Sequence, residues 1–209
     1  MTTEVPLPDC FLECYQYLYP TIDFSRIHFY DGIPEPFGWN AQTAAITLTW
    51  GYGSDIHIYT KAGTWRPCDQ KGYGYELFLT LAHELVHVLQ IMNLPYPSEW
   101  IPRYVWRFIE SGGKSDCSND LEREAYVHAN GCRDGAGGID PSRPGELRAC
   151  TMRWAGGQSP CMCSGSTPEV MKWQMFGNDT FLDMLKAECG PSLVMEKSSA
   201  FESTRIMQN

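Results

Sequence analysis

The chain has 209 residues, 43% of them apolar, which is enough to bury a proper core in one compact domain. Its 16 basic against 25 acidic residues give a formal net charge of -9, which argues against nucleic acid or an anionic membrane surface as the main partner. No stretch approaches the roughly 20 apolar residues of a membrane span. Met1 to Pro20 has neither the basic start nor the unbroken apolar run of a signal peptide, so the cytoplasm is the default expectation.

Taken in chain order, Phe11 to Tyr19 reads as a short helix, and Phe24-Ser25-Arg26-Ile27-His28-Phe29-Tyr30 as a strand by its aromatic and β-branched content. Ala44 to Trp50 and Asp55 to Thr60 repeat that signal. The turn Gly51-Tyr52-Gly53-Ser54 between them predicts antiparallel neighbours in a small sheet. After Gly72-Tyr73-Gly74 a long apolar helix begins near Tyr75 or Glu76 and stops before Pro95. A second helix is expected over Glu99 to Ile109 with Ser98 as its cap, and a third from Asn119 or Asp120 to the stop signal Asn130-Gly131. Gly135 to Gly145 and Gly156 to Pro168 read as loops around a short element near Leu147 to Trp154. Thr180 to Cys189 looks helical, and the polar tail from Glu196 to Asn209 is expected to be flexible. The division this suggests is a core over 1–130, loops and helices over 131–195 that extend it or form a small appendage, and a tail over 196–209.

Nine cysteines sit awkwardly with the cytoplasmic default, where thiols are kept reduced. None forms a C-x-x-C knuckle; Cys10 with Cys14 and Cys161 with Cys163 are the nearest spacings. Free thiols are the first expectation. If disulfides form, Cys117 and Cys132, which flank a predicted helix, and Cys150 are best placed to pair.

From Leu77 to Met92, apolar residues point in nearly every direction, as in a helix buried on most sides. Yet Thr80, His83, Glu84, His87 and Gln90 fall at intervals of one, three or four residues and form a single polar stripe. A merely solvated face would favour lysine and arginine, and this segment has neither. Histidines four apart put two imidazoles on one side of a helix, where both can reach one tetrahedral zinc at about 2.0 to 2.1 Å. Zinc lowers the pKa of a coordinated water from about 15.7 toward about 7, and Glu84 stands where a carboxylate can take that proton. This is the logic of an H-E-x-x-H segment.

Such sites usually add a third protein ligand. The metzincin extension is excluded, because Gln90 and Asn93 occupy the positions where it needs glycine and histidine. The candidates lie in Leu121-Glu122-Arg123-Glu124-Ala125-Tyr126-Val127-His128. On an ideal helix Glu122 lies nearer than Glu124 to the apolar stripe of Leu121, Ala125 and Ala129, which favours Glu122, with Glu124 and His128 as alternatives. The bland reading of Glu122 is a variant capping box with Asn119.

His83-Glu84-Leu85-Val86-His87-Val88-Leu89-Gln90 resembles the active-site helix of small bacterial gluzincin-type metallopeptidase domains, which typically read H-E-L-x-H-V-x-Q. Arg26-Ile27-His28, Ala44-Ala45-Ile46-Thr47-Leu48 and Ile58-Tyr59 resemble the preceding strands, and Glu122-Arg123-Glu124-Ala125 is similar to the gluzincin glutamate helix. The likeness covers Phe24 to Asn130. It implies an α+β, zincin-like fold in which a small twisted sheet packs on the active-site helix beside a mostly helical C-terminal half. It also implies zinc held by His83, His87 and Glu122, Glu84 as general base, and a peptide or protein substrate paired with an edge strand near Ile56-His57-Ile58-Tyr59. Where the family often has an aspartate that orients a zinc histidine, this chain has Tyr126. Tyr126 and His128 are the candidates for a hydrogen-bond donor to transition-state charge. The competing expectations are a noncatalytic zinc-stabilised binding module and another zinc amide hydrolase that uses a cysteine such as Cys68.

Overall fold

Phe11, Cys14, Tyr15 and Leu18 recur at intervals of one, three or four residues, so helix α1 (Asp9–Leu18) turns one apolar face fully inward. That face meets helix α2 (Tyr75–Met92). The Tyr15 hydroxyl donates to the Phe78 carbonyl at 2.7 Å, and the Tyr19 hydroxyl donates to the Ala82 carbonyl at 2.9 Å. Both donors and both acceptors are one helical turn apart, so the two helices meet in step and each buried phenol finds a partner.

The computed structural model describes residues 2–35, 43–49, 55–65, 75–134, 138–154, 182–183, 185–189 and 191–196. Strands β1 (Thr3–Val5), β2 (Ile27–Asp31), β3 (Ala45–Thr49) and β4 (Ile56–Thr60) form a sheet of order β1-β2-β4-β3. The central pair β2 and β4 is parallel, with Phe29 opposite Ile58, and both outer pairs are antiparallel. Strand alternation sends Ile27, Phe29, Ile56 and Ile58 into the core shared with α1 and α2, and turns His28, Tyr30 and His57 to the other face. Helices α3 (Trp100–Glu110), α4 (Asp120–His128) and α5 (Glu146–Trp154) complete a mixed architecture of α+β type. Leu147, Cys150, Leu185 and Leu193 belong to the same core as α1 and α2. Among the described residues no single helix is long and apolar enough to cross a membrane.

Several expectations need correction. The segment near Ile56-His57-Ile58-Tyr59 is not an edge: β4 is paired on both sides, and β3 is the outer strand beside α2. Its parallel pairing with β2 is non-local and leaves no local signal in the sequence. Phe24-Ser25-Arg26 is a 3-10 turn, because the Asp23 carboxylate accepts the Ser25 N–H and holds the chain curled before β2 begins. Ser98 does not cap α3; Pro97 opens a 3-10 turn that runs straight into the helix. A π-helical turn covers Leu185–Cys189. The Gly51-Tyr52-Gly53-Ser54 turn, Gly72-Tyr73-Gly74, Cys68, Cys161, Cys163, the 156–168 loop and the tail beyond Glu196 lie outside the described residues.

The first expectation for the cysteines is also overturned. Cys117 and Cys132 are joined in a disulfide, and Cys150 is disulfide-bonded too, whereas Cys14 is a buried free thiol whose pKa burial raises to about 12. The Cys117–Cys132 bond ties together the two approaches to α4, which is also capped by Asn119 Oδ1 accepting the Leu121 N–H. Past α4, Gly131 adopts φ +85° and donates its N–H to the Tyr126 carbonyl at 2.7 Å, ending the helix as a left-handed glycine does. There it lies directly against Gly145, and a Cβ on Gly131 would collide with the Pro144 backbone.

Reducing the Cys117–Cys132 bond is expected to lower stability by about 3 kcal/mol, since it closes a loop of sequence separation 15. Urea unfolding of the wild type and of a Cys117→Ser, Cys132→Ser double variant measures it, and matching midpoints would contradict a constraining role.

Candidate metal centre

The polar stripe of α2 is buried: His83, Glu84, His87 and Gln90 are each at most 6% exposed. Such groups stay inside only when their polar atoms find partners, and α4 crosses α2 at this level. His83 Nε2 lies 3.1 Å from Glu122 Oε2 and His87 Nε2 lies 3.8 Å from the same oxygen. The two imidazoles stand nearly perpendicular, 4.9 Å between centroids. Ligand atoms of His83, His87 and Glu122 all fall within 4.8 Å of one another, so this buried group can hold a metal ion. Two imidazole nitrogens and one carboxylate oxygen form a donor set that suits several first-row transition metals, zinc among them.

Each member is held from behind. Tyr104 on α3 donates its hydroxyl to Glu122 Oε1, leaving Oε2 for the cluster. Gln90 Oε1 lies 2.8 Å from His87 Nδ1, and Asn130 Oδ1 lies 3.2 Å from His83 Nδ1. The Thr47 hydroxyl on β3 donates to Glu84 Oε2 at 2.7 Å. The Trp100 indole donates to the Thr47 carbonyl and stands 5.5 Å from the His87 ring, so β3, α3 and α2 meet here.

Charge inside the cluster is strongly coupled. Burial alone would raise the Glu122 carboxyl and suppress protonation of His87. Their mutual attraction wins: hydrogen bonds and charge from both histidines hold Glu122 well below the usual range, and Glu122, helped by Glu84 and Gln90, lifts His87 to about 9. A metal cation entering among these atoms displaces a proton, as metal binding generally does.

The sequence-derived candidates separate cleanly in space. His83, His87, Glu84, Glu122 and Tyr126 come together. The Tyr126 and His83 rings meet edge to face, 4.5 Å between centroids, and burial, with the charges of Glu122 and Glu84, raises the Tyr126 pKa to about 12, so the phenol keeps its proton. Among the described residues no hydrogen bond engages its hydroxyl. Glu124 turns away from the two histidines and accepts from Gln90 Nε2 at 2.8 Å. Glu122 does not close a capping box, since its carboxylate faces the histidines and the Asn119 N–H goes to the Asp116 carbonyl.

No protein-family model, curated protein or solved structure matches the chain.

His128 is not brought to the cluster. Its Nε2 lies 3.0 Å from the Tyr19 hydroxyl, whose own proton goes to Ala82, so Nε2 donates there and the ring pins α4 to the end of α1. His57 stacks on His28 at 5.2 Å and bonds the Tyr30 hydroxyl on the sheet face away from α2. Of the aromatic residues on and before α3, Trp100 and Tyr104 reach the centre, while Tyr96 and Trp106 are 64% and 61% exposed. Sequence reasoning missed Thr47, the role of Tyr104 and the second role of Asn130. Asn130 was legible only as a helix stop, and Thr47 only as a strand residue.

Burial holds the pKa of His128 down from 6.5 to about 4. The unfolded chain therefore takes up a proton there that the folded chain refuses. Stability should fall as pH drops from about 6.5 toward about 4, by up to about 3 kcal/mol from this residue. Denaturant midpoints across that range should fall less steeply for His128→Gln than for the wild type; parallel curves would contradict the assignment.

Proposed function

We propose that this chain is a zinc-dependent endopeptidase with a zincin-like, gluzincin-type active site. The observation that carries the reading is a buried three-ligand group with Glu84 beside it. Among the described residues no fourth histidine, cysteine or carboxylate joins His83, His87 and Glu122. Structural zinc sites are closed by four protein ligands, whereas catalytic ones keep a position open. A noncatalytic module would also have no use for a carboxylate in the interior next to its ligands, where one hydroxyl partner, Thr47, offsets only part of the cost of burying it.

His83, His87 and Glu122 would hold the zinc, which when bound supplies Lewis-acid activation of water and of a scissile carbonyl. Glu84 is the general base: Thr47 steadies one of its oxygens and leaves the other to accept a proton. The Tyr126 hydroxyl, kept protonated beside His83, is the donor to charge developing on the carbonyl oxygen. The outer strand β3, in contact with α2 at Glu84, is the edge on which an extended peptide would lie, in place of the segment near Ile56-His57-Ile58-Tyr59. The Cys117–Cys132 bond favours maturation in an oxidising compartment over the cytoplasmic default.

Zinc content and quenched-peptide cleavage of the wild type and three variants test this. Glu84→Gln should keep one zinc and lose cleavage by roughly 100- to 10,000-fold. Glu122→Ala should lose zinc far more severely than Glu124→Ala. Equal cleavage by wild type and Glu84→Gln would sink the mechanism, and stoichiometric zinc with no cleavage by the wild type would favour the binding module.

A further inference from the structure

Two imidazoles serve one metal only if each presents a bare nitrogen inward, and that is decided on the far side of each ring. On His87 the far nitrogen is Nδ1, 2.8 Å from Gln90 Oε1. Both hydrogens of the Gln90 amide are engaged, one by the Leu121 carbonyl at 3.0 Å and one by Glu124 Oε2 at 2.8 Å. A primary amide has two N–H donors and one oxygen, so the oxygen faces His87 and requires a proton on Nδ1. His87 Nε2, beside Glu122, is then the nitrogen whose proton a metal ion would displace.

Asn130 stands at the far nitrogen of His83. Its Oδ1 faces Nδ1 at 3.2 Å, and His83 Nε2 points to Glu122. Asn130 lies beyond α4, and its own main chain is fixed independently. Arg148 Nε donates to its carbonyl at 2.9 Å, Arg148 is in turn paired with Glu76 at 2.9 Å, and the adjacent Gly131 is wedged against Gly145.

We propose that Asn130 and Gln90 are a matched pair of positioning residues. Each locks one metal-binding imidazole in its Nδ1–H tautomer through a neutral amide oxygen, so that Glu122 is the one anion among the ligands and their immediate supports. The proposal rests on the reading of His83, His87 and Glu122 as a zinc site. A neutral acceptor orients a ring but donates less electron density through it than a carboxylate does. Changing Asn130 to aspartate should therefore keep the orientation and strengthen the ligand, with Arg148 close by to balance the added charge.

The test is zinc affinity of the full chain by chelator competition, together with thermal unfolding of the metal-free protein. Asn130→Ala should weaken zinc binding by about 10- to 100-fold, while the metal-free unfolding temperature falls only by the few degrees that the partnerless His83 Nδ1–H costs. Asn130→Asp should bind at least as tightly as the wild type. If both variants bind like the wild type, or if Asn130→Asp is as weak as Asn130→Ala, Asn130 merely terminates α4 and the proposal falls. Gln90→Met tests the other amide, and the Asn130 pair decides alone if that fully buried change prevents folding. Nitrogen NMR of the zinc-loaded wild type should show protonated Nδ1 on both rings; a protonated Nε2 on either overturns the proposal. A wild type that binds no zinc ends the zinc reading and this proposal together, whereas a wild type that binds it as tightly as Asn130→Ala ends this proposal alone.

Discussion

Helix α2 carries His83, Glu84, His87 and Gln90 through the interior, and an unmatched polar group there costs more than most single contacts return. Much of the fold can be understood as the supply of partners. β3 brings Thr47 to Glu84, α3 brings Tyr104 to Glu122, and α4 brings Glu122 itself together with the Leu121 carbonyl and Glu124 for Gln90. The stretch after α4 brings Asn130. The cluster therefore sits where three helices and the sheet edge converge, and moving any one of them would strand a buried polar atom.

That burden falls most heavily on α4, a helix of 9 residues too short to hold its position by its own hydrogen bonds. Its surroundings hold it instead. Asn119 caps its start, His128 ties its end to Tyr19, Gln90 bonds its first-turn carbonyl, and the Cys117–Cys132 bond shortens the excursion of the chain around it. A ligand on a short helix can be precise when its supporting contacts are this numerous.

What could be read in the sequence follows from how local each signal is. Helix α2 and its stripe were legible because a 3.6-residue period and a five-residue spacing lie within one segment. The preference for Glu122 over Glu124 came from helical geometry, which says which way a side chain leans but not what it meets; the structure adds that Glu124 has its own task on Gln90. β1, with Thr3–Val5 alone, is too short to show a period. The position of β4 inside the sheet depends on its parallel pairing with β2, which no local pattern encodes. Asn130 was hidden by doing two things at once, since Asn-Gly is so good a helix stop that nothing about it invites a second explanation. The cysteines were misjudged because compartment, which decides thiol state, was itself inferred from a default.

The contact of Gly131 with Gly145 bears on how the cluster is kept in place. Neither position leaves room for a Cβ, and the backbone that they bring together carries Asn130 on one side and leads into Arg148 on the other. A side chain at either glycine would force these two backbone segments apart. The displacement would reach Asn130 along one arm and Arg148 along the other, so the cluster would loosen without any of its own residues having changed.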